Sequence, residues 1–90
     1  MTFSVGSAAT SQHIEGVAVL LLNRQGQLVT LGQTDRAGRL SIPKSSLRED
    51  GGAVVLFCKE RFFCGAFRLD DPEFFEYDYR LIHLAPFAVP

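Results

Sequence analysis

Residues Ile14–Ile42, IEGVAVLLLNRQGQLVTLGQTDRAGRLSI, read as three β-strands joined by two turns, and that reading decides the fold class. Gly16 to Leu22 is a short aliphatic run bounded by turn signals, the pattern of a buried strand rather than a helix. Asn23-Arg24-Gln25-Gly26 forms the first turn, where Gly26 takes a positive φ at no steric cost and closes a hairpin. Gln27 to Gln33 alternates polar and apolar residues, so one of its faces is expected to meet water. Thr34-Asp35-Arg36-Ala37-Gly38 forms the second turn. There the Asp35 carboxylate is placed to accept from amides two and three residues on, and Gly38 supplies the left-handed position. Arg39 to Ile42 alternates again, with Leu40 and Ile42 on one face.

Outward from this stretch the same grammar continues. Phe3-Ser4-Val5 reads as a short first strand, and Gly6 to Gln12 is small and polar, so residues 1–12 are expected to be a flexible or edge-strand segment. Pro43 ends the strand before it. Residues 43–50 hold at most one short helical turn, with Ser46 and Glu49 at capping-box spacing and Leu47 tucked beneath. Gly51-Gly52 breaks the chain before Ala53–Lys59, which is apolar on both faces. A tight turn near Glu60-Arg61 leads into Phe62–Leu69, where Phe63, Phe67 and Leu69 are expected on one face with Gly65, and Phe62, Cys64, Ala66 and Arg68 on the other. Asp70-Asp71-Pro72 is a turn, Glu73–Asp78 a loop or short helix, and Tyr79–Phe87 the last strand. Six or seven short strands with turn signals between them predict an all-β fold, an antiparallel two-sheet sandwich, with residues 1–90 as a single domain.

The pattern Gly16-x-x-Val19-x-Leu21, then Gly26, then Thr34-Asp35-x-x-Gly38-x-Leu40-x-Ile42 resembles the carboxypeptidase regulatory-like and transthyretin-like (prealbumin-type) β-sandwich domains. Leu81-Ile82-His83-Leu84-Ala85-Pro86-Phe87 resembles their last strand, which often ends in Leu-x-Pro. The resemblance spans roughly residues 14 to 87 and implies a transthyretin-like or Ig-like sandwich; its motifs are those of turns and core, which specify a fold and not a function. Transthyretin-like hydrolases of purine degradation resemble the chain over Thr34–Arg39 and Tyr79–Phe87. They build part of their active site from a Tyr-Arg-Gly-Ser tail. This chain runs to Pro90 without that tail, and His13 is not set in a matching first-strand motif, so the resemblance implies at most a hydrolase with an incomplete site. Pilus-type sandwiches carry a Lys–Asn or Lys–Asp isopeptide bond; here Lys44 falls in a loop, Lys59 at a strand end and Asn23 in a turn, which excludes it.

Composition narrows the function classes. Ninety residues make one domain, and 47% apolar residues fit a globular chain rather than a disordered one. A net charge of −1 gives no bulk attraction to nucleic acid or to an anionic membrane, and no apolar run approaches the length of a membrane span. The N-terminal MTFSVGSAATSQH has neither the basic start nor the apolar core of a signal peptide, which for a complete chain predicts a cytoplasmic protein. Cys58 and Cys64 do not make a disulfide framework. They are expected to be reduced and packed as small apolar residues, a disulfide across a hairpin centred on Arg61 being the alternative.

No motif for chemistry emerges. The carboxylates fall in turns and loops, and there is no Gly-x-Ser-x-Gly elbow, phosphate loop, calcium loop or zinc spacing. No catalytic residue, metal ligand or cofactor is assigned. The informative feature is that Val17–Leu22 and Val54–Phe57 are apolar on both faces, whereas a two-sheet sandwich buries one face of each sheet. With Val17, Val19, Leu21, Val55 and Phe57 facing in, Ala18, Leu20, Leu22, Val54 and Leu56 face out. Such a face predicts a protein partner or a homo-oligomer, with Leu20, Leu22, Leu56 and the outward His83 as interface residues. The alternative is that the N-terminal segment or Glu73–Asp78 folds over it. The reading is therefore a non-catalytic interaction or accessory module, against a small hydrolase with an incomplete site or a structural spacer domain of a larger assembly.

Overall fold

A computed structural model describes residues 1–48 and 52–87 of the chain. The capping role expected of Glu49, the break at Gly51 and the tail at Pro90 lie outside the described residues. These form, in order, β1 (Thr2–Ser7), β2 (Ala18–Asn23), β3 (Leu28–Gln33), β4 (Arg39–Ser41), α1 (Lys44–Arg48), β5 (Gly52–Cys58), β6 (Gly65–Arg68), a 3-10 turn (Pro72–Phe75) and β7 (Tyr79–Leu84). A four-stranded sheet of order β3-β2-β5-β6 packs on a three-stranded sheet of order β4-β1-β7. Every ladder is antiparallel except β1–β7, which is parallel. The expected all-β two-sheet sandwich is the observed architecture, with one short α-helix.

Both turns of the Ile14–Ile42 stretch form through their side chains. Asn23 Oδ1 accepts from the Gln25 and Gln27 amides at 3.0 and 2.9 Å, and Gly26 has φ 82°. Asp35 Oδ1 accepts from the Ala37 and Arg39 amides at 2.9 and 3.0 Å, two and four residues on rather than two and three. Gly38 has φ 75°, and its carbonyl accepts from the Val5 amide at 2.7 Å. A Cβ on Gly38 would lie 2.6 Å from the Val5 carbonyl oxygen. The glycine is thus required twice, for the left-handed backbone and for the close approach to β1. The buried Thr34 hydroxyl accepts from the Val17 amide at 2.9 Å and donates to the Ile14 carbonyl at 2.7 Å, fixing the entry to β2.

The N-terminal segment differs from expectation. Residues 2–7 are the middle strand of the three-stranded sheet, not an edge, with both flanks paired. Phe3 and Val5 are fully buried on its inner face, and Ser4 and Gly6 on its other face are buried as well. The interior between the sheets is aromatic at its centre. Phe3 meets Phe57 edge-on at 5.0 Å between ring centroids, and Phe74 from the 3-10 turn lies 6.1 Å from Phe3. Leu47 of α1 is fully buried, as its spacing predicts, although the helix starts at Lys44 and Ser46 does not cap it.

Two local expectations are overturned. Cys58 and Cys64 form a disulfide. The β5–β6 ladder pairs Leu56 with Ala66 and Phe57 with Gly65, and one step further that register sets Cys58 opposite Cys64 with Cα atoms 4.5 Å apart. This is the spacing of a directly facing antiparallel pair, well within disulfide reach. The second correction concerns Phe62 and Phe63. The β6 strand begins only at Gly65, and Arg61 sits at φ 70° in the turn. Residues 61–63 leave β5 and pair with residues 85–87 instead, so Phe62 packs against the core and Phe63 is 59% exposed, the reverse of the expected faces.

Replacing Gly38 by valine should lower stability by more than about 1 kcal/mol, because a β-branched residue is a poor occupant of positive φ and its Cβ meets β1. Urea denaturation of Gly38→Val with an unchanged midpoint would refute the turn's role. Alkylation of the unfolded chain without reductant should label neither cysteine. A Cys58→Ser/Cys64→Ser chain should lose about 2 kcal/mol, the chain-entropy value for so short a loop.

Candidate functional site

The outward residues of β2 and β5 form one surface. Strand register arranges it in rows across the four-stranded sheet: Leu28–Leu22–Val54–Arg68, then Thr30–Leu20–Leu56–Ala66, then Gln33–Ala18–Cys58. Burial alternates as the sequence predicts, with Val19, Leu21, Val55 and Phe57 buried in the core and Ala18, Leu20, Leu22, Val54 and Leu56 half-buried behind them. None of these five packs against the core cluster. Leu20, Leu22 and Leu56, with Val54, are therefore contiguous on one side of the molecule, shielded only by their own neighbours. The segments expected as covers lie elsewhere: the N-terminal strand is built into the other sheet, and the 3-10 turn sends Phe74 into the core.

The rim of this face mixes polar and apolar residues, with Leu28 59% exposed on β3 and Ala66 on β6. Arg68 donates to both Asp70 oxygens, from Nε at 3.1 Å and Nη2 at 2.6 Å. The hydrogen bond and then the charge of Asp70 hold the Arg68 pKa above its ordinary value. Thr30 and Gln33 line the opposite side along the exposed edge strand β3.

His83 does not belong to this surface. It lies on β7, in the other sheet, and faces solvent beside Tyr79 and Leu81, which are 46% and 62% exposed. Arg80 has the opposite parity. With Ile82 and Leu84 it points inward, and its guanidinium sits 4.8 Å from the Phe74 ring centre and 5.4 Å from that of Phe67, a cation–π cap on the rim of the core. The polar cleft that a hydrolase reading requires, combining His83, Arg80 and a carboxylate, is not formed by these residues, because the two side chains diverge to opposite faces of one strand. Sequence reasoning missed the inward Arg80, although its period-two placement with Ile82 and Leu84 was the available signal.

His13 lies in a cleft of about 410 Å³ with Glu15, Phe62 and Pro86 on its walls. Both cysteines, the other candidate nucleophiles, are tied up in the disulfide. Among the described residues, no group of three or more His, Cys, Asp or Glu side chains converges as a metal site would need, and no helix is long and apolar enough to cross a membrane. Comparison of the chain with models of known protein families and with curated proteins found no match.

The start of β7 is held by Lys44, whose ammonium lies 2.6 Å from Asp78 Oδ1 and donates to the Phe75 carbonyl at 3.2 Å. The hydrogen bond from Lys44, and then its charge, depress the Asp78 pKa. A depressed carboxylate adds stability above its unfolded pKa, and that stability is lost as pH falls through the folded value. Acid titration of stability should therefore show a small loss from about pH 4 downward, reduced by Asp78→Asn and by about 1 M salt. Equal acid limbs for wild type and Asp78→Asn would show that the pair contributes nothing, as is common for exposed bridges.

Proposed function

We propose that the domain is a non-catalytic interaction module that binds a protein partner or a second copy of itself through the outer face of its four-stranded sheet. The observation that carries this reading is the contiguous Leu20–Leu22–Val54–Leu56 surface, half-buried and not packed on the core cluster. A β-strand needs only pleat-compatible side chains on a wet face, and Thr30 on the adjacent strand shows the polar choice. Four aliphatic residues at the centre of the sheet are better explained by an occupant that removes them from water. The resemblance to carboxypeptidase regulatory-like and transthyretin-like sandwiches fits an accessory module of this kind. His83 drops out of the proposed interface because it lies on the other sheet.

Association through this face draws on apolar burial. A fully buried leucine contributes roughly 1.5–3 kcal/mol, and the half-buried leucines here have part of that left to gain. Association entropy and side-chain ordering offset much of it. Leu20→Lys places a charge at the middle of the face, opposite Leu56, without touching the inner core. The variant should melt within a degree or two of wild type and lose partner binding or self-association, read by sedimentation velocity beside a thermal melt. A folded Leu20→Lys chain with unchanged mass and unchanged partner binding would remove the support for the face as an interface.

A further inference from the structure

The three-stranded sheet ends on β7, and its outer edge is open over a defined stretch. The Thr2 amide donates to the Asp78 carbonyl at 2.7 Å and the Ala8 amide to the Leu84 carbonyl at 2.9 Å, so the even-numbered residues of this strand turn their backbone groups toward β1. The N–H and C=O of Tyr79, Leu81 and His83 therefore point the other way. Beyond the strand the same edge is filled: the Phe63 amide donates to the Ala85 carbonyl and the Phe87 amide to the Arg61 carbonyl, both at 2.8 Å. Over residues 79–83 no described strand pairs with it.

We infer that this open edge is a β-augmentation site for a short, extended, uncharged peptide segment of a partner protein. Three features carry the assignment. First, six backbone groups on Tyr79, Leu81 and His83 are arrayed for a strand and lack a protein partner among the described residues. Second, the edge is lightly guarded. Natural sheets blunt their edges with lysines, prolines, bulges, inward-pointing charges or very short strands. Here β4 and β6 are short, at three and four residues, and β3 flanks the bulge at Val19/Leu20. By contrast β7 runs six residues without lysine, proline or register shift, and its one inward charge, Arg80, is the single guarding feature and is accommodated on the Phe67 and Phe74 rings. The side chains that a bound strand would meet on the outer face, Tyr79, Leu81 and His83, carry no formal charge when His83 is neutral, so an uncharged segment is the complement.

Third, the open stretch is bounded at both ends, which selects a lone segment over a second copy of the chain. Antiparallel self-pairing about Leu81 would set residue 85 of one copy opposite residue 77 of the other. Residue 85 already carries the 61–63 segment on that edge, and residue 77 follows directly on the 3-10 turn. A peptide of about five residues, some 17 Å when extended, meets neither obstacle. Its central residue exchanges both hydrogen bonds with Leu81 and projects beside the Leu81 side chain, favouring a β-branched apolar residue there. Main-chain bonds supply the affinity in such sites and alternate side chains the selectivity. This site is separate from the Leu20 face and does not depend on it.

The test uses the folded chain with its disulfide and the capped peptide acetyl-Val-Thr-Val-Thr-Val-amide. The peptide should shift the Tyr79, Leu81 and His83 amide resonances and slow their hydrogen exchange, which in the free chain should be faster than at Arg80, Ile82 and Leu84. Methylating the central valine nitrogen removes its donor to Leu81 and should weaken binding about tenfold or more, the worth of one hydrogen bond. Leu81→Pro removes the protein's central donor at an edge position where proline is tolerated, and should abolish binding with little change in the melt; should that variant not fold, the methylated peptide decides alone. Leu20→Lys should leave binding unchanged. No shift at millimolar peptide, or equal binding by the methylated peptide, would overturn the site. A dimer of the free chain that dissociates on Leu81→Pro would equally overturn it, by showing that a second copy fills the edge.

Discussion

The contact on which the molecule depends is the meeting of Phe3 and Phe57 across the interior, at 5.0 Å between ring centroids. Each belongs to the middle of its own sheet, and each is fully buried. Edge-on aromatic pairs add to the burial of two large side chains, so this is where the two layers are fastened. Phe3 can take that place only because β1 is threaded between β4 and β7. The threading in turn rests on the Gly38 carbonyl receiving the Val5 amide and the Asp78 carbonyl receiving the Thr2 amide. A turn glycine, the most N-terminal strand and the aromatic core are thus links of one chain of dependence.

Using β1 in this way decides what is left outside. On the three-stranded sheet Thr2, Arg39 and Ser41 of β1 and β4 are polar where they reach the outer surface, Ser4 is buried, and the large apolar side chains exposed on the sheet are Tyr79 and Leu81 of the edge strand. On the four-stranded sheet the apolar outward residues sit on the two central strands. One molecule therefore presents two different surfaces for two different physical reasons. One offers apolar side chains and the other unpaired backbone, and polar changes to one leave the other intact.

Much of this was legible in the residues. The two turns, the alternation of Val19 and Leu21 against Leu20 and Leu22, and the burial of Leu47 follow from period and turn chemistry alone. What was not legible depended on register between distant segments. Cys58 and Cys64 become a facing pair only when the β5–β6 ladder is aligned, and a packing rationale for reduced cysteine looks identical in sequence. Phe62 and Phe63 exchange faces because residues 61–63 pair with a segment some 24 residues on, which no local pattern encodes. The N-terminal segment reads as flexible or edge by composition, while its middle place is set by pairing with two distant segments, β4 and β7. His83 joined the leucines in the sequence reading because both point outward; which sheet each points out of is a matter of topology.

Size decides what kind of binding the apolar face supports. Four strands about 4.8 Å apart, with outward residues repeating every two positions or about 6.8 Å, give three rows an extent of roughly 14 by 14 Å. That is near 200 Å², against about 800 Å² that each partner contributes to a standard stable interface. If the proposed binding is correct, the Leu20–Leu56 patch is the centre of its interface, and most of the contact area comes from the rim at Leu28, Thr30, Gln33 and Arg68 or from further surface. Rim positions held by exposed charges such as the Arg68–Asp70 pair contribute orientation and encounter rate more than affinity. A small apolar centre with such a rim fits exchangeable recognition better than a permanent dimer, whose interface would resemble a domain core cut in half. The domain's own core is complete without an occupant, since Phe3, Phe57, Leu47 and Phe74 are already sealed. The proposed binding at the face would therefore require no unfolding of the domain.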